Sequence, residues 1–330
     1  MNKYVFLFLP LIILCGCSSG PEYIQVGNQG PAQGSTYSIS YLVPQDVDYR
    51  EGIDSILSEM DYQMSLWLEE SEITRLNRGD SIRISTDFAR VITLSKLYSN
   101  LTSGQFDITI APVVKAWGFS RGAYNEHNNV DSLLQFVGSE KLATPEIDSL
   151  YALPTGFQVD VNAIAQGYTV DVISQYLDSN GVENYMVEVG GEVRCKGENV
   201  NGRIWRIGVE KPAEDRIPGQ FQTIIALDSM SLATSGNYRK FWVDSSGQKV
   251  VHTIDPETGR PVISNVLSAS IIASNATLAD ALATACMVAG SNAMQLVAQF
   301  PDVEAYLITG NKIGEIEVQK TEGWSTYEPN

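Results

Sequence analysis

Val159-Asp160-Val161-Asn162-Ala163-Ile164-Ala165-Gln166-Gly167-Tyr168-Thr169-Val170-Asp171 is where the sequence changes its period. Just upstream, Gly156 to Val161 alternates, with Phe157, Val159 and Val161 on one side, which predicts a half-buried strand. From Ile164 the apolar spacing becomes helical. Ile164, Tyr168, Val172 and Tyr176 form one stripe, and Asn180-Gly181 ends it. A strand that passes into a helix within a few residues presents free backbone amides, where α/β proteins hold anionic ligands. Asn162 is the predicted helix cap, and Ala163, Ala165 and Gly167 leave room for a bulky group beside the backbone. An ordinary capped junction has the same pattern, so the stretch does not establish a site by itself.

A second stretch adds weight. Ala279-Asp280-Ala281-Leu282-Ala283-Thr284 is predicted helical, which puts Asp280 and Thr284 on one face. A carboxylate and a hydroxyl among alanines make half an oxygen cage for a hard cation. An Asp in a first turn, followed by a Thr bonding back onto its own helix, would look alike.

The chain begins with Lys3, an apolar run from Val5 to Leu14, and then Leu14-Cys15-Gly16-Cys17. That run is too short to span a bilayer and is expected to be a targeting segment. Its last four residues resemble the lipobox of bacterial lipoproteins, which implies cleavage before Cys17 and acylation of its thiol. Residues 1–17 are therefore expected to be signal peptide and lipobox. Residues 18–33, rich in Gly, Pro, Ser and Gln, are expected to be a flexible tether, and residues 34–330 one large globular unit.

Composition narrows the function. The chain is 44% hydrophobic, as globular proteins are, and carries a formal charge of −17. That charge argues against a nucleic-acid or anionic-membrane surface, and a polyanionic ligand would need a metal or backbone amides as mediators. Beyond the signal only Cys195 and Cys286 remain, too few for a disulfide framework or a thiolate metal site. Cys286 falls in an apolar helix and is expected to be a core residue.

Helical spacing appears at Tyr49–Trp67, Thr86–Leu101, Val130–Val137, Thr277–Val288 and Asn292–Phe300. Strands are predicted at Ser35–Val43, Tyr185–Val189, Trp205–Glu210, Gln222–Leu227, Lys240–Val243, Val250–Ile254 and Val266–Ala273, with a closing hairpin of Ala305–Thr309 and Gly314–Gln319. Strands that follow one another without helices between them pair antiparallel, so the expected class is α+β. No dinucleotide-binding G-x-G-x-x-G follows a strand, and no P-loop is present.

Four further clusters join Gly, aromatic and polar residues in predicted loops. They are Met64–Trp67 with Ser71–Asn77, Ser103–Thr109 leading to Trp117-Gly118-Phe119, Ala233–Tyr238, and His252–Pro261. Together they have the makings of a pocket rim that stacks planar rings and binds a phosphorylated ligand. In order along the chain, Gly34-Ser35-Thr36-Tyr37, Ser71-Glu72-Ile73, Phe106-Asp107-x-Thr109, Trp117-Gly118-Phe119, Asp160 to Gly167, Gly190-Gly191-Glu192, Ala233-Thr234-Ser235-Gly236, His252-x-Ile254-Asp255-Pro256-x-Thr258-Gly259 and Ala279-Asp280-Ala281-x-Ala283-Thr284 resemble the ApbE family. Its members are bacterial lipoproteins that act as FAD:protein FMN transferases, and the resemblance covers nearly all of the chain after residue 33.

The resemblance implies an ApbE-like fold of mainly antiparallel sheet packed with helices. It implies a Mg²⁺ ion held by the side chains of Asp280 and Thr284 and the carbonyl of Ala163, as suits a hard cation. FAD, the substrate, would be contacted by Gln33, Trp67, Trp117, Gly118, Phe119, Asp160, Gln166 and Ile254. Three positions depart from the family pattern: Gln33 often corresponds to Met, Asn162-Ala163 to a Gly pair, and Gln166 to Lys or Glu. The reaction would join FMN through a phosphoester to a Thr or Ser of another protein and release AMP, with His252 or Asp255 as the base. His127, in a polar stretch, is expected to be a surface residue.

Two alternatives remain at this level: a Mg²⁺-dependent FAD pyrophosphatase, and a lipoprotein that only binds flavin. The expected acceptors are flavoprotein subunits of Na⁺-pumping NADH:quinone reductase or a related electron-transport complex, met at the periplasmic face of a membrane, the inner one in preference to the outer.

Overall fold

The computed structural model describes residues 23–45, 47–120, 129–212, 220–237, 241–243, 247, 249–310 and 315–329. Its strands are β1 (Tyr23–Ala32), β2 (Ser35–Pro44), β3 (Ile82–Arg83), β4 (Leu150–Tyr151), β5 (Tyr185–Val189), β6 (Glu192–Lys196), β7 (Trp205–Glu210), β8 (Phe221–Leu227), β9 (Met230–Gly236), β10 (Phe241–Val243), β11 (Lys249–Val251), β12 (Val266–Ala273), β13 (Glu304–Gly310) and β14 (Ile316–Lys320). The helices are α1 (Arg50–Met64), α2 (Glu72–Arg78), α3 (Thr86–Leu101), α4 (Ala111–Ala116), α5 (Val130–Leu133), α6 (Ala165–Ser179), α7 (Ala276–Ala289) and α8 (Ala293–Val297).

Eight strands form one sheet in the order β1-β2-β5-β6-β9-β12-β13-β14, each pair antiparallel. Alternation explains the strands on the β1 side of the sheet. In β2 and β5 the odd positions from Tyr37 and Tyr185 are buried and the others only half so. By contrast, β12 is buried along almost its whole length, because both faces of the sheet are covered there. On one face lies α7; on the other, Ile272 and Ile308 pack with Trp324 and the β7–β8 hairpin. The mixed α+β class and the single globular unit are as the sequence predicts.

The packing of α6 against α7 sets up everything that follows. Gly167 faces the first turn of α7 so closely that a Cβ would overlap the Ala276 carbonyl. Each helix also takes a carboxylate from the other. Asp171 of α6 accepts the N–H groups of Ala276 (2.9 Å) and Thr277 (2.8 Å) and the Thr277 hydroxyl (2.5 Å), while Asp280 of α7 accepts the Gly167 N–H (3.1 Å). Both helix N-termini are thus closed by an acid far away in sequence, where positive ends of backbone dipoles favour one.

Several sequence expectations need correcting. Gly156–Val161 is not a strand, since no neighbouring strand lies beside it to pair with. It is an irregular segment that leaves a turn at Gly156, and its Val159 and Val161 are buried. Asn162 does not cap α6: Ile164 occupies that position without a side-chain bond, and Asp280 serves the Gly167 amide. Residues 23–32 are not tether but the edge strand β1, paired with β2 over its full length, because Val26, Asn28 and Ala32 turn inward. The stretch from Glu72 to Arg78 is helical, with the Ser71 hydroxyl accepting the Thr74 N–H and left-handed Gly79 as its stop. Ala233 to Gly236, expected as a loop, belongs to the central strand β9. Cys17, the rest of the signal and His127 lie outside the described residues. Cys195 and Cys286 are buried, as expected for Cys286.

Replacing Gly167 by Ala should therefore cost about 2–3 kcal/mol, by overpacking against a backbone carbonyl that cannot retreat. Urea unfolding checks this: an unchanged midpoint would mean that the two helices are not held this close.

Candidate active site

At the start of α6 the carbonyls of Asn162 and Ala163 take no backbone amide among the described residues. The N–H groups of Ile164 and Ala165 both turn back to the Val161 carbonyl (3.0 and 2.8 Å), and that of Tyr168 donates to Ile164 (2.9 Å). Gly167 would complete the turn by donating to Ala163, but its N–H goes to Asp280. Among the described residues no backbone amide bonds to the Ala163 carbonyl.

Asp280 is only 5% exposed. Burial pushes its carboxyl up to about 7, the nearby Asp171 charge adds to this, and the Gly167 amide opposes it. Asp171, buried too, is also raised by desolvation, but three donors and the Arg194 charge work the other way. Asp280 has one donor. A buried carboxylate this poorly served is where a cation would repair the electrostatics. Thr284 sits one turn further along α7, its Oγ1 3.2 Å from the Ser235 hydroxyl of β9. A carboxylate, a hydroxyl and an untaken carbonyl are hard oxygen donors, a set that fits Mg²⁺. Among the described residues no group of three or more His, Cys, Asp and Glu offers a rival site.

Three other groups of sequence-predicted residues take definite places. Asp160 donates its N–H to the Ile108 carbonyl (2.7 Å) and accepts the Asn162 N–H (2.9 Å). With Leu66, Asn77, Lys115 and Gln158 it lines a cavity of about 260 Å³.

The loop at Trp117 meets the turn after His252. The Trp117 indole donates to the Gly259 carbonyl (2.8 Å), and the Trp242 indole donates to the Trp117 carbonyl (3.3 Å). Gly118 takes the left-handed φ of 78° that swings Phe119 toward His252, whose ring it meets edge-on at 6.3 Å. Ile254 is buried in the same apolar cluster as Val113 and Ala116. The Asp255 carboxylate is built into its own turn, accepting the Glu257 N–H and the Thr258 hydroxyl, each at 2.9 Å.

Gln33 and Gln166 both lie at α6. The Gln33 amide donates to the Thr169 hydroxyl (2.7 Å), and Gln166 rests against Gly190, where a Cβ would collide with it. Trp67, past the end of α1, is 66% exposed, and its neighbour Leu66 lines the Asp160 cavity. So Ala163, Gln166, Gln33, Asp280 and Thr284 share the α6–α7 corner, and Trp117, Gly118, Phe119, His252, Ile254 and Asp255 share the loop cluster. Asn77, Asp171 and Ser235 lie within stretches that the sequence singled out, but without these bonding roles, and Trp242 lies outside those stretches. Each bonds to a residue far along the chain, so no local pattern marks it.

The chain as a whole is similar to known proteins. The model of the ApbE family matches residues 33–307. An FAD:protein FMN transferase of Vibrio cholerae is 35% identical over 319 residues, covering 93% of this chain and 94% of its own. One from Haemophilus influenzae is 32% identical and covers 89% of each. Among solved structures, the flavin transferase ApbE of Vibrio cholerae superposes with a TM-score of 0.79 at 33% identity, over 93% of this chain and all of its own. The apo flavinyl transferase ApbE of Pseudomonas stutzeri gives 0.81 at 27% identity, over 93% of this chain and 97% of its own.

The Asp280 environment makes a pH-dependent prediction for metal-free protein. With the folded carboxyl raised to about 7 from the ordinary 3.8, the unfolded chain ionises first as pH rises. Stability therefore falls between about pH 4 and pH 7 and stays low above. Asp280→Asn keeps an acceptor for Gly167 but removes the charge. It should be more stable than wild type at pH 8 by on the order of 3 kcal/mol, with the gap closing toward pH 4. Denaturant unfolding in chelator at both pH values decides, and a gap independent of pH would contradict it.

Proposed function

This chain belongs to the ApbE family, and from that membership we infer its reaction: it is a flavin transferase that moves FMN from FAD to protein. The observation that carries the finer reading is Asp280, a buried carboxylate with a single amide donor, next to Thr284 and an untaken Ala163 carbonyl.

In this reading Asp280, Thr284 and Ala163 hold Mg²⁺. When bound, the ion offsets the charge that develops on the diphosphate as its bridge breaks. The chain's own groups do the rest. The loop of Trp117, Gly118 and Phe119 closes over FAD together with Ile254. Asp160, Gln33 and Gln166 supply polar contacts, and the exposed Trp67 ring gains a face to stack on. Gln166 carries no charge, so it orients by hydrogen bonds alone.

A Thr or Ser hydroxyl of the acceptor attacks the phosphorus on the FMN side, and the oxygen bridging to AMP leaves with its electron pair. His252 takes the hydroxyl proton. Asp255, the other base weighed, is assigned instead to shaping the turn, where both its oxygens accept hydrogen bonds. The Phe119 ring restrains the His252 ring from one side.

The setting of the reaction is part of the proposal. Acylation at Cys17 would tether the enzyme to the periplasmic face of a bacterial membrane, the inner one in preference to the outer. There it would meet acceptor subunits of Na⁺-pumping NADH:quinone reductase or a related electron-transport complex. The lipobox-like Leu14-Cys15-Gly16-Cys17 supports this.

Protein beginning after the anchor, mixed with FAD, Mg²⁺ and such a subunit, should give a fluorescent band that survives denaturing electrophoresis. Asp280→Ala should reduce that band by at least a hundredfold. FMN and AMP in solution without a band for any acceptor would replace transfer by hydrolysis, and full activity in Asp280→Ala would remove the metal assignment.

A further inference from the structure

Two motifs of the sequence, Ser71-Glu72-Ile73 with its helix and Phe106-Asp107-Ile108-Thr109, have no part in the reaction above, yet both end on the segment that carries Asp160. Asn77, one residue from the end of α2, forms a closed pair of bonds with Val159, 82 positions away. Its Nδ2 donates to the Val159 carbonyl (2.8 Å) and its Oδ1 accepts the Val159 N–H (2.7 Å). Gln158 donates back to the Asn77 carbonyl (3.1 Å). From the other side, the Asp160 N–H donates to the Ile108 carbonyl (2.7 Å).

Ile108 is itself immobilised. The buried Asp107 carboxylate accepts the N–H and hydroxyl of Thr109 (2.8 and 2.5 Å) and those of Ser139 (2.8 and 2.6 Å). Thus Gln158–Asp160 has the hydrogen bonds of a strand without a partner strand. One edge is served by a side-chain amide and the other by a single locked carbonyl.

We infer that Asn77 is a positioning residue for Asp160. Its carboxamide stands in for a strand edge and fixes the backbone from which the Asp160 carboxylate is aimed at FAD. Asp107, acting through Ile108, is the second arm. Only a carboxamide of this length does the work. Aspartate would set an oxygen against the Val159 carbonyl, and alanine would leave a buried N–H and C=O unserved. Asn77, Gln158 and Asp160 line the same cavity, so a shift of the segment moves the ligand-facing carboxylate directly. The inference rests on the flavin-transferase reading for the ligand that Asp160 meets.

The test is a double-mutant cycle on FAD affinity, by fluorescence titration with Mg²⁺, using Asn77→Ala, Asn77→Asp, Asp160→Ala and the Asn77→Ala/Asp160→Ala pair. Amide hydrogen exchange of flavin-free protein accompanies it. Each Asn77 variant should weaken FAD binding about tenfold, as loss of the paired bonds would. In the Asp160→Ala background, Asn77→Ala should cost less than about twofold more. The Val159 and Asp160 amides should exchange at least about tenfold faster, while those of α6 and α7 keep their rates.

Additive losses in the cycle, unchanged affinity in the Asn77 variants, or faster exchange spread through α6 and α7 would each overturn the assignment. Asp160→Ala binding FAD as wild type does would also overturn it and leave flavin transfer standing. Wild type that binds FAD but modifies no acceptor would refute transfer, while the cycle would still decide the role of Asn77. Wild type that does not bind FAD would end both.

Discussion

Asp171 and Asp280 each leave their own helix to close the N-terminus of the other, and the active corner depends on that exchange. Two helices from distant parts of the chain approach closely enough to trade carboxylates only because Gly167 has no side chain. The exchange is unequal. Asp171 meets two amides and a hydroxyl, so its charge is spent on holding α7 in place. Asp280 meets one amide and remains buried, an incomplete electrostatic arrangement that a divalent ion would complete. One acid is a fastener. The other, in the proposed reading, is half of a binding site.

That division also explains why the untaken carbonyl matters. In a regular first turn the Gly167 amide would satisfy Ala163. By drawing the amide to itself, Asp280 frees an oxygen donor two residues before α6 begins. An ion held there would let an anionic ligand bind without a basic patch, which accords with a chain of net charge −17.

The helical spacing from Ile164 marked the start of α6 correctly, and the Asp280–Thr284 spacing marked α7. Long, strongly patterned strands such as β2, β5 and β12 were equally plain. What the sequence could not disclose are relations between residues far apart. Asn162 looked like a cap because caps are usually local, and here the acid comes from α7. Gly156–Val161 alternates like a strand, but a strand is defined by its partner, and Asn77 with Ile108 supplied only fragments of one. The Gly- and Pro-containing start of the chain resembled a linker by composition, whereas the inward-facing Val26, Asn28 and Ala32 make it an edge strand. Asp255 shows the converse: its motif was visible, but only the turn geometry shows its oxygens occupied.

The most direct test is a crystal grown with FAD and Mn²⁺ in place of Mg²⁺, with an anomalous difference map recorded at the manganese edge. The account predicts one dominant peak, bonded to the Asp280 carboxylate, the Thr284 hydroxyl and the Ala163 carbonyl and touching the diphosphate. A dominant peak elsewhere, or a diphosphate bound at this corner with no metal peak, would contradict it.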